Sequence, residues 1–421
     1  MAAAWLISCS AVFAQQTVTI TLDEAIHRAE ANEPIFAASV ADSKVAALDR
    51  SIARAALLPN AVYHNQYLYT QGTGTTTPRF IANNAVHEYI SQGVVNETVG
   101  LAGVAEVKRA DAAAAFAAAQ LEVTRRGLVA TVVNLYYSLL AADQKQAVAT
   151  RAADEADSFV DLTRKRENAR EAAHADVIKA QLEQQQRHRD LEDARVAAER
   201  ARLELGVLLF PDPRTPYTVE NIAVRTDLPT RAEVQSAASA NNPDIRSAFA
   251  ALQQSSAEVL AARAAYLPDL RLNVTYGIDA PQFATRGPDG IHNLGYSAAV
   301  TLDIPVWDWL STQHKVRQSE IRRDAARVAL TAAQRRLIAE LDEFYSEAVA
   351  ARNQLASLDQ SVQTATDSLR LTKLRYTDGE ATVLEVVDAQ NALTLAEIAR
   401  EDGRVRYELA LANLQTLTGK L

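Results

Sequence analysis

The octapeptide ARAALLPN at residues 53–60 returns as ARAAYLPD at 262–269, and no other feature restricts the fold so strongly. Aligned on that anchor, the chain matches itself at a fixed offset of 209 residues, Pro59 falling on Pro268. Without a gap, Asn32 and Pro34 fall on Asn241 and Pro243, Tyr136 on Tyr345, Asp176-Val177 on Glu385-Val386, and Ala180-Gln181 on Ala389-Gln390. Fourteen of the 47 positions from 21 to 67 are identical, and Asn, Pro, Arg and Tyr are among them, which an alanine-rich composition does not explain. The sequence therefore predicts one structure made of two similar units, residues 15–210 and 230–421, joined by a linker at 211–229.

Glycine and proline divide each unit. Neither occurs from 128 to 205 or from 306 to 378, and such stretches point to helices well beyond globular length. At 1.5 Å per residue the second would reach about 110 Å if straight. Within it, Leu337, Leu341, Phe344, Ala348, Ala351, Leu355, Leu358, Val362, Ala365, Leu369 and Thr372 alternate spacings of four and three. This is a coiled-coil seam in which alanine allows close approach. Helical hairpins are predicted with tips at about 166–176 and 376–385.

Between the helices the period changes to two. Leu270, Leu272, Val274, Tyr276 and Ile278 alternate with Arg271, Asn273, Thr275 and Gly277, and Leu294, Tyr296, Ala298, Val300, Leu302 and Ile304 alternate with Gly295, Ser297, Ala299, Thr301 and Asp303. Each run is a strand with one apolar and one polar face, long enough to cross an outer membrane. A less regular pair lies at about 60–100, where Tyr63, Tyr67 and Tyr69 alternate with His64, Gln66 and Leu68, and the second pair spans about 269–304. Four such strands leave two open edges, which lipid does not tolerate. Copies of the chain must therefore close a barrel: two would give eight strands and three would give twelve, and twelve leave room for an open lumen.

The start, MAAAWLISCSAVFAQQ, is an apolar run ending in small residues. It reads as a signal peptide over 1–14 cleaved after Ala14, although the usual basic region is absent. A second reading takes Leu6-Ile7-Ser8-Cys9 as a lipobox, which would make Cys9 the lipidated first residue. Either exports the protein without a disulfide, Cys9 being the only cysteine. The net charge is −9 with the two signs interspersed, so there is no basic stripe for nucleic acid. The sequence holds no GxxxxGK[ST], HExxH or GxSxG motif, and its seven histidines are scattered. No enzyme, metal or cofactor is expected.

The duplication, the N-x-P and A-R-A-A-x-L-P elements before each strand pair, and LRYTDGEATVLEVVDAQNAL at 374–393 together resemble the outer-membrane efflux protein family, the channel-tunnels of tripartite export systems. The resemblance covers about 21–419. It implies a mainly α fold with membrane β: a homotrimer with a twelve-stranded β-barrel, four strands per chain, and a long coiled-coil helical barrel in the periplasm of a Gram-negative-type cell. It further implies contact with outer-membrane lipid, docking of a periplasmic adaptor protein, and through it an inner-membrane pump. A soluble periplasmic coiled-coil structural or adaptor protein is the competing reading, disfavoured by two apolar strands of matched length.

The informative residues lie at the tips. Gly379 suits a tight turn between helices, and Glu385 and Asp388, at i and i+3, share a helical face. In three copies they would form rings of carboxylates that favour cations, and by position they match the acidic pair at the periplasmic entrance of the resembled family. The resemblance also implies an entrance lock at Asp176 and Tyr376, and adaptor docking around Gly379 and Arg170. Departures from the family pattern are expected to matter: Arg170 stands where the second tip has Gly379, Lys179 stands opposite Asp388, and Ala381 occupies a place from which a basic residue could have reached across to another coil, so any lock is expected to be weaker. Trp307 and Trp309, in the elbow after the last strand, are candidates for the membrane interface.

Overall fold

The computed structural model describes residues 18–69, 87–220 and 228–418. Cys9 and the cleavage position at Ala14 lie outside the described residues. The duplication is visible element by element. Helices α1 (Leu22–Asn32), α2 (Pro34–Ala55) and α4 (His174–Leu209) reappear, with both ends displaced by 209 residues, as α5 (Arg231–Asn241), α6 (Pro243–Ala264) and α8 (Val383–Thr418). The longest helices, α3 (Leu101–Asn168) and α7 (Ser311–Thr377), have 68 and 67 residues.

The repeated motifs have local physical causes. Thr21 and Thr230 cap α1 and α5, each accepting the backbone N–H of the glutamate three residues on, Glu24 and Glu233. In N-x-P, the proline opens the next helix, where its missing N–H has no partner to lose. Asn32 Nδ2 donates to the carbonyl of Leu209 at 2.9 Å, satisfying the end of α4. In A-R-A-A-x-L-P, the arginine ties the end of one helix to the next: Arg54 reaches Asp111 at 2.9 Å, and its repeat equivalent Arg263 reaches Glu320, the equivalent of Asp111, at 2.7 Å.

By contacts the chain divides into two compact units, each drawing on both repeats: 1–38, 122–243 and 335–421 form one, and 39–121 and 244–334 the other. The second unit contains a four-stranded antiparallel sheet. Its strands β2 (Asn60–Tyr69), β3 (His87–Val99), β5 (Asp269–Ala280) and β6 (Leu294–Asp303) are ordered β2-β3-β5-β6. Two hairpins, one per repeat, are thus joined through β3 and β5, with Val95 opposite Val274. β2 and β6 are the sheet's outer strands and are exposed along their whole length.

The register puts Leu270, Leu272, Val274, Tyr276 and Ile278 on one face with Leu302, Val300, Ala298, Tyr296 and Leu294. Tyr296 is 84% exposed and Val300 70%, so over β6 the described residues do not cover this face, whereas Ile278 on β5 is buried. On β2 and β3 the same face carries polar groups, three of which bond one another. The Tyr63 hydroxyl meets Ser91 Oγ at 2.7 Å, and Ser91 Oγ donates to Asn65 Oδ1 at 2.7 Å. No described helix is long and apolar enough to cross a membrane.

The first unit is built of helices around several apolar clusters. The largest gathers Ile20, Val129, Val132, Val133, Tyr136, Leu139, Leu205 and Leu209. It includes a short parallel pair, β1 (Val18–Ile20) with β4 (Tyr217–Val219), formed partly by the expected linker. Tyr136 is fully buried and donates to the carbonyls of Ile20 and Glu220 at 3.1 and 3.0 Å. Burial pushes its hydroxyl up to about 12. The seam of α7 follows the periodicity: Leu341, Ala348, Ala351 and Leu369 are buried, the other seam positions are half-buried, and most residues outside the stripe between Leu341 and Leu369 are exposed, Tyr345, Glu347, Val349 and Ala350 being half-buried.

Candidate functional site at the hairpin tips

Helices α3 and α4 form one hairpin and α7 and α8 another, and both tips turn in the same way. In the first, the Arg170 N–H donates to Glu167 and the Glu171 N–H to Arg166. In the second, Gly379 donates to Tyr376 and Glu380 to Arg375, the equivalents at the repeat offset. This is the Schellman pattern, which needs a left-handed residue after the helix. Gly379 supplies it at φ 82°, whereas Arg170 adopts φ 63° with a full side chain. The missing glycine is replaced by strain rather than by another turn.

Beneath the turns, Phe159, Val160, Ala180, Leu369, Tyr376, Val383, Val386 and Ala389 form one buried cluster with members from all four helices. Tyr376 is 4% exposed. Its ring lies 5.3 Å from that of Phe159, and the Arg166 guanidinium sits 4.8 Å from its centroid. Its hydroxyl lies 3.5 Å from Thr163 Oγ1, too long for a strong O–H···O bond. Asp176 is half-exposed at the start of α4, and no hydrogen bond joins it to Tyr376 within the described chain. The structure thus brings Tyr376 to Thr163 and Arg166. An ion pair between Lys373 and Glu155 ties α7 to α3 beside the cluster, and burial depresses the Lys373 ammonium below its usual range.

Glu385 is exposed and engaged. Thr382 is the cap of α8: the Glu385 N–H donates to Thr382 Oγ1 at 3.3 Å, and the Thr382 N–H donates back to Glu385 Oε1 at 3.1 Å. Arg375 Nη1 lies 3.6 Å from the other carboxylate oxygen. The backbone N–H and hydroxyl of Thr382, helped by Arg375, hold the Glu385 carboxyl below its usual range. Asp388 lies one turn on, exposed and, among the described residues, without such bonds. The capping role was legible in T-x-x-E at 382–385, the signal that also starts α1 and α5. The seat of Arg166 on Tyr376 had no such signal, because it joins residues 210 apart.

Trp307 and Trp309 are 69% and 84% exposed and pack edge to face on each other, centroids 5.8 Å apart. Trp309 and Leu310 both take positive φ, 57° and 64°. Asp308 accepts the Thr312 N–H at 2.7 Å, anchoring this elbow to the first turn of α7. Among the described residues no group of three or more His, Cys, Asp or Glu side chains is placed to hold a metal.

Comparison with known proteins decides what kind of chain carries such tips and such a sheet. Residues 234–420 match the family described as outer membrane efflux protein. That match takes in nearly the whole second repeat. Two curated outer-membrane relatives, both from Pseudomonas aeruginosa, extend the likeness into the first repeat. Outer membrane protein OprJ is 25% identical over 79% of this chain and 64% of its own length, and the pyoverdine export outer membrane protein OpmQ is 26% identical over 94% of this chain and 83% of its own. The solved structure of the outer membrane protein VceC from Vibrio cholerae superposes with a TM-score of 0.80 at 17% identity, covering 94% of this chain and 96% of that one. The efflux-protein fold therefore spans both repeats, and the hairpin tips and four-stranded sheet are parts of it.

Proposed function

We propose that this chain is the subunit of an outer-membrane channel through which substrates leave the periplasm or a tripartite pump, and that three copies close one twelve-stranded barrel. The observation that carries the reading is the sheet: four antiparallel strands with a continuous apolar face over β5 and β6 and bare backbone on β2 and β6. In hydrocarbon each unpaired N–H and C=O costs several kcal/mol, so β6 of one copy must meet β2 of the next. The apolar face then looks at lipid, and the face with Asn273, Thr275, Ser297 and Thr301 looks at the lumen. Trp307 and Trp309 would sit at the periplasmic rim of the membrane.

The same reading makes the tips the periplasmic entrance, the surface for an adaptor around Arg170 and Gly379, and the gate. Asp388, rather than the capped Glu385, would present the free carboxylates of the selectivity ring. A passive conduit of this kind needs no catalytic group. Native mass spectrometry of the unheated, detergent-extracted protein tests the assembly: a trimer recovered only with detergent is expected, and a monomer or dimer soluble without detergent would overturn the channel reading. For the lock, Tyr376→Phe is expected to raise single-channel conductance in planar bilayers, and unchanged conductance would remove the hydroxyl from the gate.

A further inference from the structure

The apolar stripe of α8 is interrupted just inside the tip. Val383, Val386, position 390 and Leu393 follow the three-and-four spacing of a seam, and Val383, Val386 and Leu393 pack in the tip cluster. Position 390 is glutamine, only 6% exposed. Neither Gln390 Nε2 nor Oε1 has a hydrogen-bond partner among the described residues. Its backbone carbonyl accepts from Thr394 Oγ1 at 3.0 Å, so only the side-chain amide is orphaned. The matching stretch of the first hairpin handles its amides differently. Gln184 donates to Asp157 Oδ1 at 2.8 Å, and Gln181, the repeat equivalent of Gln390, is half-exposed.

Burying an amide removes its water, and a packed interior that offers no partner leaves that loss uncompensated. An unbranched apolar side chain of similar volume would fill the position without this loss. The glutamine therefore makes the packed tip less stable than an uninterrupted seam would be. When the helices separate, Val383 and Val386 lose apolar burial while the Gln390 amide regains water, so the two effects oppose each other at adjacent turns.

We propose that Gln390 is a weak layer that sets the opening equilibrium of the α7–α8 tip. It destabilises the closed packing without adding any contact to the open form, and so shifts population toward separation. The proposal rests on the reading of the tips as the gate. It assigns to α8 a loosening element that the α4 equivalent lacks.

Hydrogen exchange on the full-length protein in mild detergent, with Gln390→Leu, Gln390→Met and Gln181→Leu compared to the unaltered chain, tests it. Peptides covering 369–377 and 383–393 are expected to exchange about tenfold more slowly in both Gln390 variants, the order of effect for relieving one buried unpaired polar group. Gln181→Leu is expected to leave the 174–184 peptides unchanged. Wild-type or faster exchange in both Gln390 variants would overturn the weak layer, as would equal slowing by Gln181→Leu. Single-channel recordings separate this from the gate itself: slower exchange with longer closed times supports both, and slower exchange with unchanged open probability keeps the weak layer while removing the tips from gating.

Discussion

Hairpin α3–α4 pairs a helix of 68 residues with one of 36, and α7–α8 pairs 67 with 36, yet the two tips reach that common geometry by different local means. The second has a glycine at the left-handed position, a threonine cap reciprocated by Glu385, and a buried tyrosine. The first has arginine at the left-handed position and Ala173 at the cap, with no side-chain bond there. At the place of Tyr376 it has Glu167, which pairs with His174 at 2.7 Å. The duplication has kept helix lengths and turn hydrogen bonds, which the packing of four helices requires, and has let the chemistry of the turns diverge. The second tip is locally reinforced at its surface, and the buried Gln390 weakens it from within.

The comparison breaks most visibly at the tyrosine. Tyr376→Ala is expected to destabilise its tip by about 3–5 kcal/mol, the cost of removing a buried aromatic. Glu167→Ala, at the equivalent position, is expected to stay within about 0.5 kcal/mol. Peptide-resolved hydrogen exchange would read both. Next come the turns. Gly379→Ala is expected to cost about 1–2 kcal/mol by forcing a Cβ into the left-handed region, and Arg170→Gly to stabilise the first tip by up to about 1 kcal/mol. Equal and opposite shifts in exchange would show that the residue at that φ, and nothing else, separates the two turns.

Smaller effects sharpen the contrast. Thr382→Ala is expected to cost about 1 kcal/mol as a lost cap. Ala173→Thr, which would create a T-x-x-D cap with Asp176, is expected to gain about 0.5 kcal/mol. Both are measurable as fraying of the first turns of α8 and α4. The smallest is a pH effect. The Glu385 carboxyl has a lower pKa folded than unfolded, so its contribution is complete above the unfolded value, about 4.3, and is lost as pH falls through the folded value. The start of α8 should therefore fray on acidification below about pH 4, and Glu385→Gln should remove that dependence.

Much of this was legible in the residues because it is local. The length of α7 follows from the absence of glycine and proline between 306 and 378, its seam from the spacing, and β5 and β6 from strict alternation, whereas α3 runs through Gly103 and Gly127 and the glycine-free run 128–205 contains the first turn. The second run of the less regular pair at about 60–100 was the weakest expectation, and it forms β3, the longest strand among the described residues at 13. Its Ser91, on the apolar face, is held by Tyr63 and Asn65 of β2. Cap chemistry at Thr382 was equally readable.

The sequence by itself determined a duplicated chain of long helices and amphipathic strand pairs. Such features are written in periods of two and 3.6 over neighbouring residues. Only the tertiary structure decided which strands meet across the repeats, since the pairing of Val95 with Val274 joins residues 179 apart, a distance over which no local pattern carries information. The same holds for the parallel pairing of Val18–Ile20 with Tyr217–Val219, the seat of Arg166 on Tyr376, and the burial of Gln390 without a partner. Side chains that read alike on a helical wheel differ in what the next helix brings against them, and packing alone settles that.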